Sequence, residues 1–183
     1  YALHVKGLEL PGYEPRGLKG MGLNYATACR GACHCRGYTT YSEIYKRQNP
    51  WPTERFAVEG KGKLVKAIQD IRAAYDSAVF CTFSQGAYML EVASKIINAV
   101  TGFDLGEEDL YRIGHRVNTI ERAFNVRQGI RRKDDTLPER LLREPMPEGA
   151  AAGRVVELEP MLDEYYELRG WDKDTGIPTR EAL

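Results

Sequence analysis

Apolar positions recur at helical spacing through much of the chain. Between Lys63 and Val79, residues Leu64, Ile68, Ile71, Tyr75 and Val79 fall three or four apart, which predicts a helix with one buried face. The stretch from Phe80 to Gly86 breaks that period, and Ser84 is a candidate N-cap for a second helix over Gln85 to Thr101. Met89, Ala93, Ile96 and Val100 share a face of it, and Gly102 is placed to end it. Asp104 is the expected cap of a third helix, with Glu107, Glu108 and Asp109 at its positive end. There Leu110, Ile113, Val117, Ile120 and Phe124 form the clearest apolar stripe in the chain, read as core, and the helix runs to about Arg127.

Other stretches are punctuated rather than periodic. Trp51 lies between Pro50 and Pro52, which disfavours a helix there. Arg127, Arg131, Arg132 and Lys133 are followed at once by Asp134 and Asp135 and read as a solvated connection. Residues 134–158 are rich in Pro and Gly and leave room only for a short helix near Glu139 to Arg143. A last helix is expected from Pro160 to Gly170, and Ile177 to Leu183 reads as a helix that begins and stops. Seven of the 18 glycines lie in residues 1–37, which predicts a loop-like, site-forming segment with one short helix over Leu18 to Cys29. Asn24, Tyr25, Thr27, Arg30, His34 and Arg36 cluster in it. With no run of alternating strand residues, the fold class is all-α, a single irregular multi-helix domain over residues 1–183 with a Gly-rich N-terminal segment.

Composition narrows the function classes. At 183 residues one core suffices without metal or disulfide. Lys plus Arg equals Asp plus Glu at 26 each, and a chain of zero formal charge is a poor nucleic-acid binder. The longest apolar run, Met89 to Val100, contains Glu91 and Lys95, so no membrane span is expected. No secretory signal is visible, and a cytoplasmic, reduced setting follows as the default. The start at Tyr1 reads as that of a piece of something longer.

Four cysteines, Cys29, Cys33, Cys35 and Cys81, match neither the paired spacing of a zinc site nor that of common iron–sulfur sites. Cys29, Cys33 and Cys35 read first as small buried hydrophobes. Zinc held by Cys29, Cys33, His34 and Cys35 is geometrically awkward, because adjacent residues do not easily ligate one ion. Asp76 can accept paired hydrogen bonds from an aminopyrimidine edge, and a thiolate at Cys81 can bind iron or zinc. As a carboxylate near a helix C-terminus, Asp76 is poorly placed against the dipole, which suggests a local role. His34 can exchange a proton near neutral pH and Arg36 can pair with phosphate, whereas His4 and His115 read as structural.

Four stretches carry a family resemblance, in order and over almost the whole chain. They are Pro15-Arg-Gly-Leu-Lys-Gly-Met-Gly-Leu-Asn-Tyr-Ala-Thr-Ala-Cys-Arg-Gly-Ala-Cys-His34, Asp76-Ser-Ala-Val-Phe-Cys81, Arg112-Ile-Gly-His-Arg-Val-Asn-Thr-Ile-Glu-Arg-Ala-Phe-Asn-Val-Arg127, and a tail of Leu137-Pro-Glu-Arg with Leu162-Asp-Glu-Tyr-Tyr-Glu-Leu-Arg-Gly-Trp171. The chain resembles the C-terminal region of tungsten-containing aldehyde ferredoxin oxidoreductases. The resemblance implies an enzyme that oxidises aldehydes to carboxylates at a tungsten or molybdenum bis-pterin centre and passes electrons through a [4Fe–4S] cluster to ferredoxin. It implies Cys81 as the fourth cluster ligand, Asp76 on a pterin ring, Phe80 contacting the pterin through its backbone, Arg36 reaching the pterin, and His34 by the metal as proton donor or substrate-orienting group.

The chain also departs from the pattern. Val79-Phe80 replaces the family's Gly-Leu, which is strained if that glycine has a positive φ, and Cys35 beside His34 is not part of the pattern. The Cys-x-x-Cys-x-x-x-Cys motif for the other cluster ligands is absent. The expected partners are therefore the N-terminal part of the same enzyme, ferredoxin and an aldehyde, with homo-oligomers allowed. Alone, the 183 residues are expected to be inactive and to hold no tungsten or cluster. The competing expectation is a non-catalytic helical scaffold or interaction domain derived from the family.

Overall fold

The computed structural model describes residues 2–46, 51–81, 83–84 and 90–183. A two-stranded antiparallel hairpin, β1 (His4–Val5) and β2 (Leu8–Glu9), precedes the helices. It was not expected from the sequence, since strands this short show no alternation. The α-helices are α1 (Lys19–Thr27), α2 (Thr40–Glu43), α3 (Lys61–Ser77), α4 (Leu90–Thr101), α5 (Glu107–Arg127), α6 (Glu139–Arg143) and α7 (Leu158–Arg169). The all-α class holds, and among the described residues no helix is long and apolar enough to cross a membrane.

Helix α3 is the axis of the fold, with α1, α5 and α7 packed around it. Its apolar face sits where the period places it: Leu64, Ile68, Ile71 and Tyr75 are buried. The buried apolar side chains form two clusters. One joins α1 and α7 to Val65 of α3, with Met21, Leu23, Tyr25, Met161, Tyr165 and Tyr166 at its centre. The other gathers Ile71, Ala74 and Tyr75 of α3 with Leu90, Ala93 and Leu110 of α4 and α5.

Several details differ from the sequence reading. Val79 is 90% exposed and lies beyond the helix, in the left-handed region at φ 59°. The end of α3 is a Schellman motif: Phe80 N–H donates to the Tyr75 carbonyl, Val79 N–H donates to the Asp76 carbonyl, and the Phe80 and Tyr75 rings meet edge-on at 5.7 Å. The sequence therefore puts a β-branched residue where glycine is favoured. On α4 the buried positions are Leu90, Ala93 and Ser94, while Val100 faces solvent. The Ser84 cap and the start of that helix at Gln85 to Met89 lie outside the described residues, and the expected turn at Gly102 has φ 77°.

The largest departure is on α5. Asp104 does not cap it; Gly106 does, its N–H donating to the Asp109 carboxylate at 2.9 Å. Leu110 is buried, but Ile120 and Phe124 are 64% and 60% exposed. The buried side is Gly114, Thr119 and Arg122, because α3 crosses so closely that a Cβ on Gly114 would lie 1.8 Å from the Asp70 carbonyl oxygen. Helix α6 matches its expected span, α7 starts two residues before Pro160 and stops at Gly170 with φ 68°, and residues 177–183 form an isolated bridge, Trp171 to Pro178, and a turn instead of a helix.

Two stability changes of opposite sign follow. Gly114→Ala forces α3 and α5 apart and is expected to cost about 3 kcal/mol in denaturant unfolding. Val79→Gly removes left-handed strain of roughly 1–2 kcal/mol against an entropy cost of about 0.5–1 kcal/mol, and loses no packing. It should raise the melting temperature by a few degrees, and a fall would refute the strain assignment.

Candidate active site

The segment between α1 and α2 lies along α3 and is held by side chains from the core. Glu43 of α2, fully buried, accepts from Lys61 Nζ of α3 at 2.6 Å and from Gly20 N–H of α1 at 2.9 Å. That tie fixes both ends of the segment against α3. Within it, Asn24 Nδ2 donates to the Cys33 carbonyl at 3.0 Å, and Gln69 Nε2 of α3 donates to Asn24 Oδ1 at 3.1 Å. A Cβ on Gly37 would lie 2.1 Å from Asn24 Oδ1, so only glycine lets the chain pass.

The segment carries a single-turn 3₁₀ helix, His34–Arg36, which turns its two functional candidates to different neighbours. Arg36 Nη1 donates to Asp76 Oδ2 at 2.9 Å, and Nη2 reaches Cys29 Sγ at 3.3 Å and Glu121 Oε1. Burial works against the Arg36 charge, but Cys29 and Glu121 outweigh it and hold its pKa above the ordinary value. Burial pushes the Cys29 thiol up, although the Arg36 charge opposes this. The fold thus joins Arg36 to Asp76, two candidates 40 residues apart in sequence.

His34 lines a cavity of about 190 Å³ with Tyr13, Cys35, Tyr38, Tyr41, Arg72 and Phe83. Its ring lies 5.4 Å from Tyr13 and 6.2 Å from Tyr38, centroid to centroid. Burial, then the charges of Arg72 and Arg30, hold its pKa below 6.5, so the imidazole is neutral at neutral pH. Its Nε2 is 3.6 Å from Cys35 Sγ.

Phe80 and Cys81 sit just past the α3 Schellman turn. The Phe80 ring packs into the second apolar cluster, and its N–H is held by the Tyr75 carbonyl. Cys81 is exposed with a free thiol, and its carbonyl accepts from Ser84 Oγ at 2.6 Å. Asp76 has a side chain 43% exposed, with Oδ2 taken by Arg36. Among the described residues no group of three His, Cys, Asp or Glu side chains could hold a metal ion. Of the three clustered cysteines only Cys33 is buried, while Cys29 and Cys35 are partly exposed. His115 is a packing residue beside Arg169, its Nδ1 3.4 Å from Nη1.

Sequence reasoning missed the partners. Arg72 stands one turn before Asp76 on α3, a spacing that could have flagged it. Glu121 lies beside the apolar stripe of α5, and Tyr13, Tyr38 and Tyr41 carry no motif, so nothing local marks them.

The candidate residues thus sit on a helical domain, along α3 and the segment that precedes α2. The family model described as "Aldehyde ferredoxin oxidoreductase, domains 2 & 3" matches residues 1–183, and the chain belongs to the aldehyde ferredoxin oxidoreductase family. It is 42% identical over its whole length to the tungsten-containing aldehyde ferredoxin oxidoreductase of Thermococcus kodakarensis, covering 30% of that protein. It is 42% identical over 179 residues to the Pyrococcus furiosus enzyme of the same name, 97% of this chain and 29% of that one. The chain therefore spans about 30% of the length of the curated relatives it matches. Its fold is shared with the active-site complex BamBC of benzoyl coenzyme A reductase, with TM-score 0.67 and 21% identity over 96% of this chain and 30% of that one.

The histidines set a pH signature. His34 and His115 both titrate below 6.5, burial being the main cause for each, so the unfolded chain binds more protons than the native one just below that pH. Their contribution to stability is complete above about pH 6.5 and is lost as pH falls through the native values. Melting temperature should fall on acidification from pH 7 toward 5.5. In the His34→Gln/His115→Gln double variant that slope should flatten, and an unchanged slope would refute the assignment.

Proposed function

We propose that this chain supplies part of the active site of an enzyme that oxidises aldehydes to carboxylates in the cytoplasm, built with the N-terminal part of the same enzyme. The reading is carried by a neutral His34 in its own cavity, two residues from the Arg36–Asp76 pair. The family match over the whole chain supports it. The net reaction takes an aldehyde and water to a carboxylic acid, two protons and two electrons. The chemistry that a tungsten or molybdenum bis-pterin centre supplies when bound is acceptance of those two electrons, which leave through a [4Fe–4S] cluster to ferredoxin.

The side chains present fit such groups in part. Cys81 offers one exposed thiol where a cluster takes four, and Asp76, its Oδ2 on Arg36, would turn its other carboxylate oxygen to a pterin N–H. Phe80, its N–H engaged by the Tyr75 carbonyl, would turn its backbone carbonyl to the pterin, and Arg36 would orient Asp76 or reach the pterin itself.

The work left to this chain is proton handling and orientation. Water that adds to the aldehyde carbonyl gives up a proton, and a neutral imidazole can take it at Nδ1 or Nε2. The same ring can donate a hydrogen bond from its other nitrogen and orient the carbonyl. Tyr13, Tyr38 and Tyr41 would shape the cavity around the substrate.

In the complete protein, His34→Gln should lower the turnover of aldehyde by about 100-fold or more. Tungsten and iron content should not change. A rate equal to that of the wild type would remove His34 from the chemistry, and a complete protein without aldehyde oxidation would favour the scaffold reading.

A further inference from the structure

The geometry points to Cys33 and Cys35 as a reversible dithiol–disulfide pair, a redox modification site that brackets His34. It goes beyond the proposed function and holds whether or not His34 serves the aldehyde reaction. Each of the two thiols is placed for a different step. Cys35 lines the cavity, partly exposed, where a small oxidant can reach it, and Cys33, two residues before it in the chain, is 7% exposed.

The chain can close the ring. Two residues of backbone span at most about 7 Å between Cα atoms, and the 3₁₀ turn at His34–Arg36 shortens that span into the range disulfides bridge. Burial, then Cys33, pushes the Cys35 thiol above its ordinary pKa, so at neutral pH it reacts only with a base at hand. His34 Nε2, 3.6 Å from Cys35 Sγ and unprotonated, is that base. Arg30 Nη2 donates to Cys33 Sγ at 2.9 Å and stabilises negative charge there as the second thiol attacks. Cys29 is engaged elsewhere, by Arg36 and Glu121.

The oxidant class is a low-molecular-weight disulfide. The Cys35 proton moves to His34 Nε2, and the thiolate attacks one sulfur of glutathione disulfide. This forms a mixed disulfide at Cys35 and releases glutathione thiolate, which recovers the proton. The Cys33 thiol then attacks the Cys35 sulfur, breaks the mixed disulfide and releases the second glutathione with the Cys33 proton. Two protein thiols are oxidised to one disulfide, and one glutathione disulfide is reduced to two glutathiones.

Trypsin supplies a direct readout, because cleavage after Arg30 and Arg36 puts both cysteines on one hexapeptide, residues 31–36, apart from Cys29 and Cys81. The complete protein is incubated without oxygen in excess glutathione disulfide, alkylated, digested and weighed. The expected hexapeptide has lost two hydrogens and both alkylation sites, and dithiothreitol restores them. In Cys33→Ala the peptide should keep glutathione on Cys35, and in Cys35→Ser the buried Cys33 should stay an unmodified thiol. A wild-type hexapeptide that keeps two alkylatable thiols, or that retains glutathione without closing, overturns the pair.

Discussion

The close approach of α5 to α3 at Gly114 and Asp70, where a Cβ on Gly114 would lie 1.8 Å from the Asp70 carbonyl oxygen, organises most of what lies around it. The Asp70 carbonyl occupies the space a side chain on Gly114 would need, and the Asp70 carboxylate is buried at the same crossing. That carboxylate accepts from Arg169 of α7, from Asn118 Nδ2 of α5 at 3.0 Å and from Lys66 Nζ at 2.8 Å. Three helices thus converge on one anion. Such a buried pair adds little over a well-packed apolar one, but losing one partner leaves an uncompensated charge at a cost of about 3–5 kcal/mol. Its effect is to admit one packing arrangement of α3, α5 and α7.

The same network reaches the candidate site. Fully buried Arg169 donates to Gln69 Oε1 at 3.1 Å, Gln69 Nε2 donates to Asn24 at 3.1 Å and to Thr27 Oγ1 at 3.2 Å, and Asn24 donates to the Cys33 carbonyl at 3.0 Å. Each link is a buried polar group whose hydrogen bonds are costly to break. The backbone that presents Cys33, His34, Cys35 and Arg36 is therefore tied through side chains to the helix core. A segment rich in glycine would otherwise be free to move.

How much of this was legible depended on whether a residue's role was local. The buried face of α3, the span of α6, and the glycine stops at Gly102 and Gly170 follow from period and φ, which neighbouring residues set. The buried face of α5 does not. Ile120 and Phe124 belong to its apolar stripe yet face solvent, while Gly114, Thr119 and Arg122 pack inward, because α3 chooses the side it can approach most closely. Periodicity reports that a helix is amphipathic, not which neighbour covers it. The site divides in the same way. His34, Arg36, Asp76 and Cys81 stood out by motif, whereas the ion pair joining Arg36 to Asp76 comes from the packing of the 34–36 turn on α3, and Glu121 behind it from the crossing of α5.

Val79 shows where the two levels conflict. The residues flanking it, Asp76 and Cys81, have their spacing set by a helix stop that local chemistry would assign to glycine. The motif still forms with valine, since the backbone bonds of Val79 and Phe80 close it and the Phe80–Tyr75 contact pins it to the second apolar cluster. A left-handed β-branched residue survives only where its surroundings over-determine the turn, and such strain gathers at functional positions. Here the over-determination comes from packing on the inner side, while Val79 itself contributes no buried surface. The turn is thus held from the core outward, as is the segment carrying His34, and the outward faces of both are left to whatever they meet.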